Sequence, residues 1–272
     1  MAKPAQIQPL GEMKYVRMAL VAKSGFGKTV FCGTAPNALF LTTDPEGTIS
    51  ATGFGSTAEE WKVQSWQEIE EAFIWLRDEG IVSEGYEWII IDDATNTQAF
   101  AMKEALEIAV RKNANRDPFV PDKYEYQRSQ NAFIAMVKKF NDLPVNIIYT
   151  TLRKGMEDGD GQEYYSAALQ GQQGALAEQF LGYMNITGFG EVVEEKGREA
   201  VRRYYFIHHK AYRGKCRIVK NGKSVLGNYK DDLTVPEMMR LINAPVRNSR
   251  IPAKKAAAVR TTTRRTTARA TR

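Results

Sequence analysis

The stretch from Tyr15 to Gly33, "YVRMALVAKSGFGKTVFCG", constrains the fold more than any other. A run of apolar, β-forming residues ends in a turn with two glycines, and "KTVF" then opens a helix. The turn follows the spacing G-x-x-x-x-G-K-[ST], here Ala22-Lys23-Ser24-Gly25-Phe26-Gly27-Lys28-Thr29, with alanine at the first glycine position. Such a turn curls so that successive N–H groups face inward, where a phosphate chain is bound. Lys28 would reach the β- and γ-phosphates, and the Thr29 hydroxyl would bind Mg²⁺. Residues Ala22 to Thr29 are therefore read as an ATP-binding loop.

The rest of the chain alternates strand and helix signals. Strands are expected at 15–22, 38–43, 87–93 and 145–151. Helices are expected at 28–33, 66–80 (ending at Gly80), 95–112, 122–142 and near 172–183. "MNITGFGEVVEE" and "RRYYFIHH" flank the turn "KGRE" and read as an antiparallel hairpin, and "EMMRLIN" reads as a last short helix. This order predicts an α/β fold with a mostly parallel sheet flanked by helices. Ligands in such folds bind at the carboxyl ends of the strands.

Acidic residues close the expected strands. "WIIIDD" ends on Asp92, placed to hold Mg²⁺ opposite Thr29. Asp93 is an alternative N-cap, or the group that activates water. Glu46, in "LFLTTDPEGT", is the first choice for that base, with Asp93 its rival and Asp44 weaker. Thr150 and Thr151, at the end of the fourth strand, could sense the γ-phosphate.

Charge is unevenly distributed. The chain has 38 basic and 32 acidic residues. From Pro245 to Arg272 there are nine Lys or Arg and no Asp or Glu, so the remainder is slightly acidic. The low-complexity tail cannot bury a core and is expected to be disordered. Lys254, Lys255, Arg264 and Arg265 are among its candidate nucleic-acid contacts, sequence-nonspecific and salt-dependent. Two cysteines and no hydrophobic signal-peptide core point to a reducing cytoplasm and no membrane.

Together "AKSGFGKT", "TTDPEG", "IIIDDAT", "VNIIYTT", "LQGQQGALAEQF" and "KAYRGKCRI" resemble the phage-encoded RecA-like AAA ATPases of the single-strand annealing and recombination group. The resemblance implies a core over about residues 12–244, an N-terminal extension at 1–11 and an appended tail at 245–272. It implies ATP and Mg²⁺ as cofactors, a homo-oligomer, single-stranded DNA as partner and a single-strand-binding protein as a companion. It places the catalytic glutamate after the strand beside the phosphate-loop strand, matching Glu46. Lys210 and Arg213 match basic residues that reach a neighbour's nucleotide. DNA would meet "RKNANR" through Arg111, Lys112 and Arg116. It would also meet the Gly- and Asp-rich stretch "RKGMEDGDGQEYY", read as a surface loop, through Arg153 and Lys154, with Tyr164 and Tyr165 as stacking platforms. The competing readings are a helicase loader or other motor-associated ATPase, a small-molecule kinase, and a DNA-coating protein that binds ATP without turnover.

Overall fold

A computed structural model describes residues 13–171, 174–194, 197, 199–209 and 211–245. The expected extension and the basic tail beyond Pro245 lie outside these residues. In chain order the elements are β1 (Arg17–Ala22), α1 (Lys28–Cys32), β2 (Ala38–Thr42), α2 (Ile49–Gly53), β3 (Glu59–Lys62), α3 (Trp66–Trp75), α4 (Ile81–Glu84), β4 (Trp88–Asp92), α5 (Ala94–Lys112), α6 (Lys123–Asn141), β5 (Asn146–Glu157), β6 (Glu163–Ala167), α7 (Ala175–Gly182), β7 (Ile186–Val193), β8 (Val201–Tyr205) and α8 (Val235–Asn243).

The main sheet runs β8-β7-β1-β5-β4-β2-β3, with the short strand Tyr229–Asp231 beyond β8. Every pairing from β7 to β3 is parallel, and the pairings on either side of β8 are antiparallel. The fold is thus the expected α/β sheet with a late hairpin. Its central strands are buried: all five residues of β4, "WIIID", are buried, and the first four are apolar. That follows from cover on both faces. Ile89 and Ile91 pack toward α3, α5, α6 and α7 through Ile69, Ala101, Phe133 and Phe180. Trp88 and Ile90 face the other way, toward Phe31 of α1 and Met238 of α8.

Helix starts follow local chemistry. The Ser65 side chain caps α3, Asp93 caps α5, and Thr234 caps α8. Asp122 and Glu125 form a reciprocal capping box at α6. The third helix differs from expectation. It passes Gly80 through a π-helical turn, Leu76–Gly80, and α4 ends instead at Gly85, whose φ of 71° is left-handed. Gly80 serves packing: a Cβ there would lie 2.5 Å from the Trp75 ring.

The larger difference is at "RKGMEDGDGQEYY". It is not a flexible loop, because β5 continues to Glu157 and folds back antiparallel on β6, with Arg153 opposite Ala167 and Glu157 opposite Glu163. Only the tip, around Asp158 to Gly161, turns. No helix among the described residues is long and apolar enough to cross a membrane.

Candidate active site

Parallel register builds the site. Ala22 pairs with Leu152 of β5 on one side and Gly190 of β7 on the other, so the loop that begins at Lys23 rises from the middle of the sheet. One strand, β5, separates β1 from β4, and Asp92 ends β4 level with Thr42 of β2. Phosphate loop, metal-ligand candidate and water-activating candidates therefore share the carboxyl edge.

Gly25 and Gly27 have φ of +76° and +96°, which side-chain-bearing residues rarely adopt. They give the loop its curl. Lys23, Ser24 and Gly25 are exposed along it. Phe26 is not: the residue is 2% exposed and its ring packs edge-on to Tyr204, so it anchors the loop. The Lys28 ammonium donates to the Lys23 carbonyl at 3.2 Å, across the mouth of the loop. Burial lowers its pKa, and the negative charges of Asp92 and Asp93 oppose that shift.

Behind the loop lies a compact polar network. The Thr29 hydroxyl donates to Asp92 Oδ2 at 2.8 Å, and the Thr150 hydroxyl donates to Asp92 Oδ1. Asp92 is only 9% exposed, so both carboxylate oxygens are placed by neighbours rather than by bulk water. Thr151 points away from this network and donates to the Leu152 carbonyl, as strand alternation requires. Of the two threonines expected to sense phosphate, only Thr150 is brought to Asp92.

The two candidate bases are placed differently. Asp93 follows Asp92 across a cis peptide, and its carboxylate accepts from the Asn96 N–H at 2.7 Å as the α5 cap. Burial raises its pKa, and the Asn96 hydrogen bond opposes that shift. Glu46 is exposed in the turn after β2, where its N–H donates to Asp44 Oδ1 at 3.1 Å. Contrary to what the resemblance implies, the strand that precedes it is not beside the phosphate-loop strand, since β2 lies between β4 and β3. Glu46 thus follows the strand paired with the one that ends on Asp92, and β5 carries Thr150 next to the loop.

Several other expected site residues are engaged elsewhere. Arg116 bonds Asp122 at 2.8 Å and also pairs with Glu125, bracing the start of α6, so it is not a free phosphate contact. The Arg153 side chain is 6% exposed, bonded to the Tyr212 hydroxyl at 3.1 Å and stacked 4.0 Å from the Tyr165 ring. It cannot track a DNA backbone from there. Tyr164 is buried under the Arg213 guanidinium and offers no open stacking face. Tyr165 is half-buried, and the Arg153 guanidinium already covers its ring. Arg213 pairs with Asp158 of its own chain at 3.2 Å. Lys210 lies outside the described residues, as do Lys254, Lys255, Arg264 and Arg265. Arg111, Lys112 and Lys154 are exposed, Arg111 loosely paired with Glu104 at 3.5 Å.

The site also holds residues that the sequence did not single out. Arg202 of β8 donates from Nε to the Phe26 carbonyl at 3.0 Å. Phe54, after α2, is largely exposed on the same side, its ring 6.0 Å from the Arg202 guanidinium. A cleft of about 280 Å³ between the loop and β7 is lined by Lys23, Ser24, Arg153 and Glu191. No local motif marks Arg202, since sheet pairing brings it to the loop.

A family described as an AAA domain matches residues 14–218, about three quarters of the chain. The chain belongs to this AAA-domain family. It is a P-loop ATPase in the general sense that membership carries, with the match spanning the phosphate loop, Asp92, Thr150 and the β7–β8 hairpin. No protein of curated function matches the chain.

Proposed function

We propose that this AAA-domain ATPase hydrolyses ATP with Mg²⁺ and works on single-stranded DNA in recombination, annealing or repair. The observation that carries the nucleotide chemistry is the Thr29–Asp92–Thr150 network beneath a loop with Lys28 at its mouth.

The donor set fits the metal. A hydroxyl and one anchored carboxylate are hard oxygen ligands but too few for a resident ion. They suit Mg²⁺, which keeps waters and arrives with phosphate oxygens. Thr29 would hold it directly and Asp92 from behind. When bound, the ion neutralises charge on the β- and γ-phosphates. Lys28 draws the phosphate chain into the loop, and the inward N–H groups orient it. Glu46 is the base we favour, because Asp93 is committed to the α5 cap and Glu46 is exposed on the neighbouring strand end.

For DNA the support is compositional: nine cations and no acid from Pro245 to Arg272, with Arg111, Lys112 and Lys154 as exposed additions. We place the working form as a homo-oligomer in the cytoplasm of a phage-infected host, with a single-strand-binding protein nearby. Arg213 would have to leave Asp158 to reach a neighbour's nucleotide. The test is binding of labelled single-stranded DNA to the full chain and to a chain ending at Pro245, with and without a non-hydrolysable ATP analogue. Tight, nucleotide-dependent binding that weakens without the tail supports the reading, and no binding at low salt sinks it.

One observation favours the helicase-loader reading. Phe119, Val120 and Tyr124 are 87%, 60% and 65% exposed in the connection between α5 and α6 and the first turn of α6, a surface suited to a protein partner. Turnover that rises only with a protein ring, and never with DNA, would favour it.

A further inference from the structure

The phosphate loop is gripped from outside by the β7–β8 hairpin. The Phe26 ring lies against Gly190 so closely that a Cβ there would sit 2.4 Å from it. The carbonyl of the same residue accepts from Arg202 Nε at 3.0 Å. Arg202 is itself fixed at its main chain. Its N–H donates to Asp232 Oδ1 at 3.0 Å, and its carbonyl accepts from the Asp232 N–H at 2.8 Å. Next along the loop is Gly27, where a Cβ would lie 2.8 Å from Arg202 Nε. Arg202 therefore fills the space a side chain at position 27 would need.

In a trans peptide the C=O and the following N–H point in opposite directions. A loop that turns its N–H groups inward toward phosphate must turn carbonyls outward. The outward carbonyl of Phe26 is the one Arg202 holds, so the N–H on the other side of that peptide is the Gly27 donor.

We propose that Arg202 is a positioning residue of the nucleotide site: it fixes the Phe26–Gly27 peptide with the Gly27 N–H turned to the phosphates before nucleotide arrives. This rests on the nucleotide-binding reading of the loop. The donor comes from a planar guanidinium on a paired strand, so its direction is set as well as its charge. A preset peptide helps ATP and ADP alike and helps the ground state as much as the transition state. Its loss therefore raises KM and spares kcat.

The test compares Arg202→Ala, Arg202→Lys and Asp232→Ala with the wild-type full chain. Calorimetric Kd for ATP and ADP, steady-state kinetics and nucleotide-free melting are measured for each. We expect Arg202→Ala to weaken both nucleotides roughly tenfold to a hundredfold, the net worth of one hydrogen bond to a charged donor. KM should rise by the same factor while kcat stays within about twofold. Arg202→Lys keeps the charge without the fork and should fall between. Asp232→Ala should shift affinity the same way by less, which keeps the test valid if Arg202→Ala fails to fold. Wild-type affinities in Arg202→Ala, or a fall in kcat at unchanged KM, overturn the proposal. If the wild-type chain binds neither nucleotide, the failure lies with the loop reading itself, and the proposal falls with it.

Discussion

The phosphate loop and the basic segments 111–116 and 153–165 all carry cations outside the sheet's core, and they behave in opposite ways. At the carboxyl edge, Lys23 to Thr29 keeps the arrangement its spacing implies: glycines at positive φ, Lys28 across the mouth and Thr29 on Asp92. In the 111–116 and 153–165 segments, two of the cations are consumed by the fold while Arg111, Lys112 and Lys154 stay exposed. Arg116 braces α6 through Asp122 and Glu125, and Arg153 is sunk between Tyr165 and Tyr212. A phosphate loop is a backbone device, and its spacing in sequence is its geometry. A basic patch is a side-chain device, and its availability depends on acids and aromatic rings far along the chain. Loop-like composition does not reveal which cations are free.

The sharpest way to break this contrast is at the loop. Lys28→Ala should reduce ATP turnover by roughly a hundredfold or more while the chain stays folded. Steady-state hydrolysis and a melting curve read both, and wild-type turnover would remove Lys28 from the chemistry. The base comes next. Glu46→Gln should slow hydrolysis by about a hundredfold with ATP affinity retained. Asp93→Asn should hydrolyse nearly normally, because asparagine caps a helix as well as aspartate. Single-turnover assays decide between them, and the reverse pattern moves the base to Asp93.

Smaller effects test the other side of the comparison. Arg153→Ala should lower stability by about 1–3 kcal/mol, since it strips a buried hydrogen-bonded cation from its partners. Denaturant titration measures this, and an unchanged midpoint would mean that the arginine is not structural. Lys112→Ala should leave stability alone and reduce the salt slope of DNA binding by about one. A slope that falls for Arg153→Ala but not for Lys112→Ala would reverse the assignment of free and consumed cations.

Much of the fold was legible because long buried strands and capped helices carry their own signals. "WIIIDD" could only be a covered strand, and "LQGQQGALAEQF" ended in a helix as read. β3 was missed because "EEWK" is short, polar and at the sheet edge, with only Trp61 partly buried to mark it. The continuation of β5 was missed because Gly155 and the Asp- and Gly-rich tip read as a loop, while the pairing that extends the strand comes from β6. At the site, the residues joined by local spacing were found. Arg202 was not, because it lies 176 residues from Phe26 and meets it only through the sheet.

The most direct measurement is steady-state ATP hydrolysis by the full chain, with and without single-stranded DNA, using Lys28→Ala as the blank. The account predicts Mg²⁺-dependent turnover, stimulated by DNA and absent in the blank. Turnover that persists in Lys28→Ala would contradict the phosphate-loop site. Turnover that vanishes in the blank but ignores DNA would leave the ATPase standing and contradict its DNA-directed role.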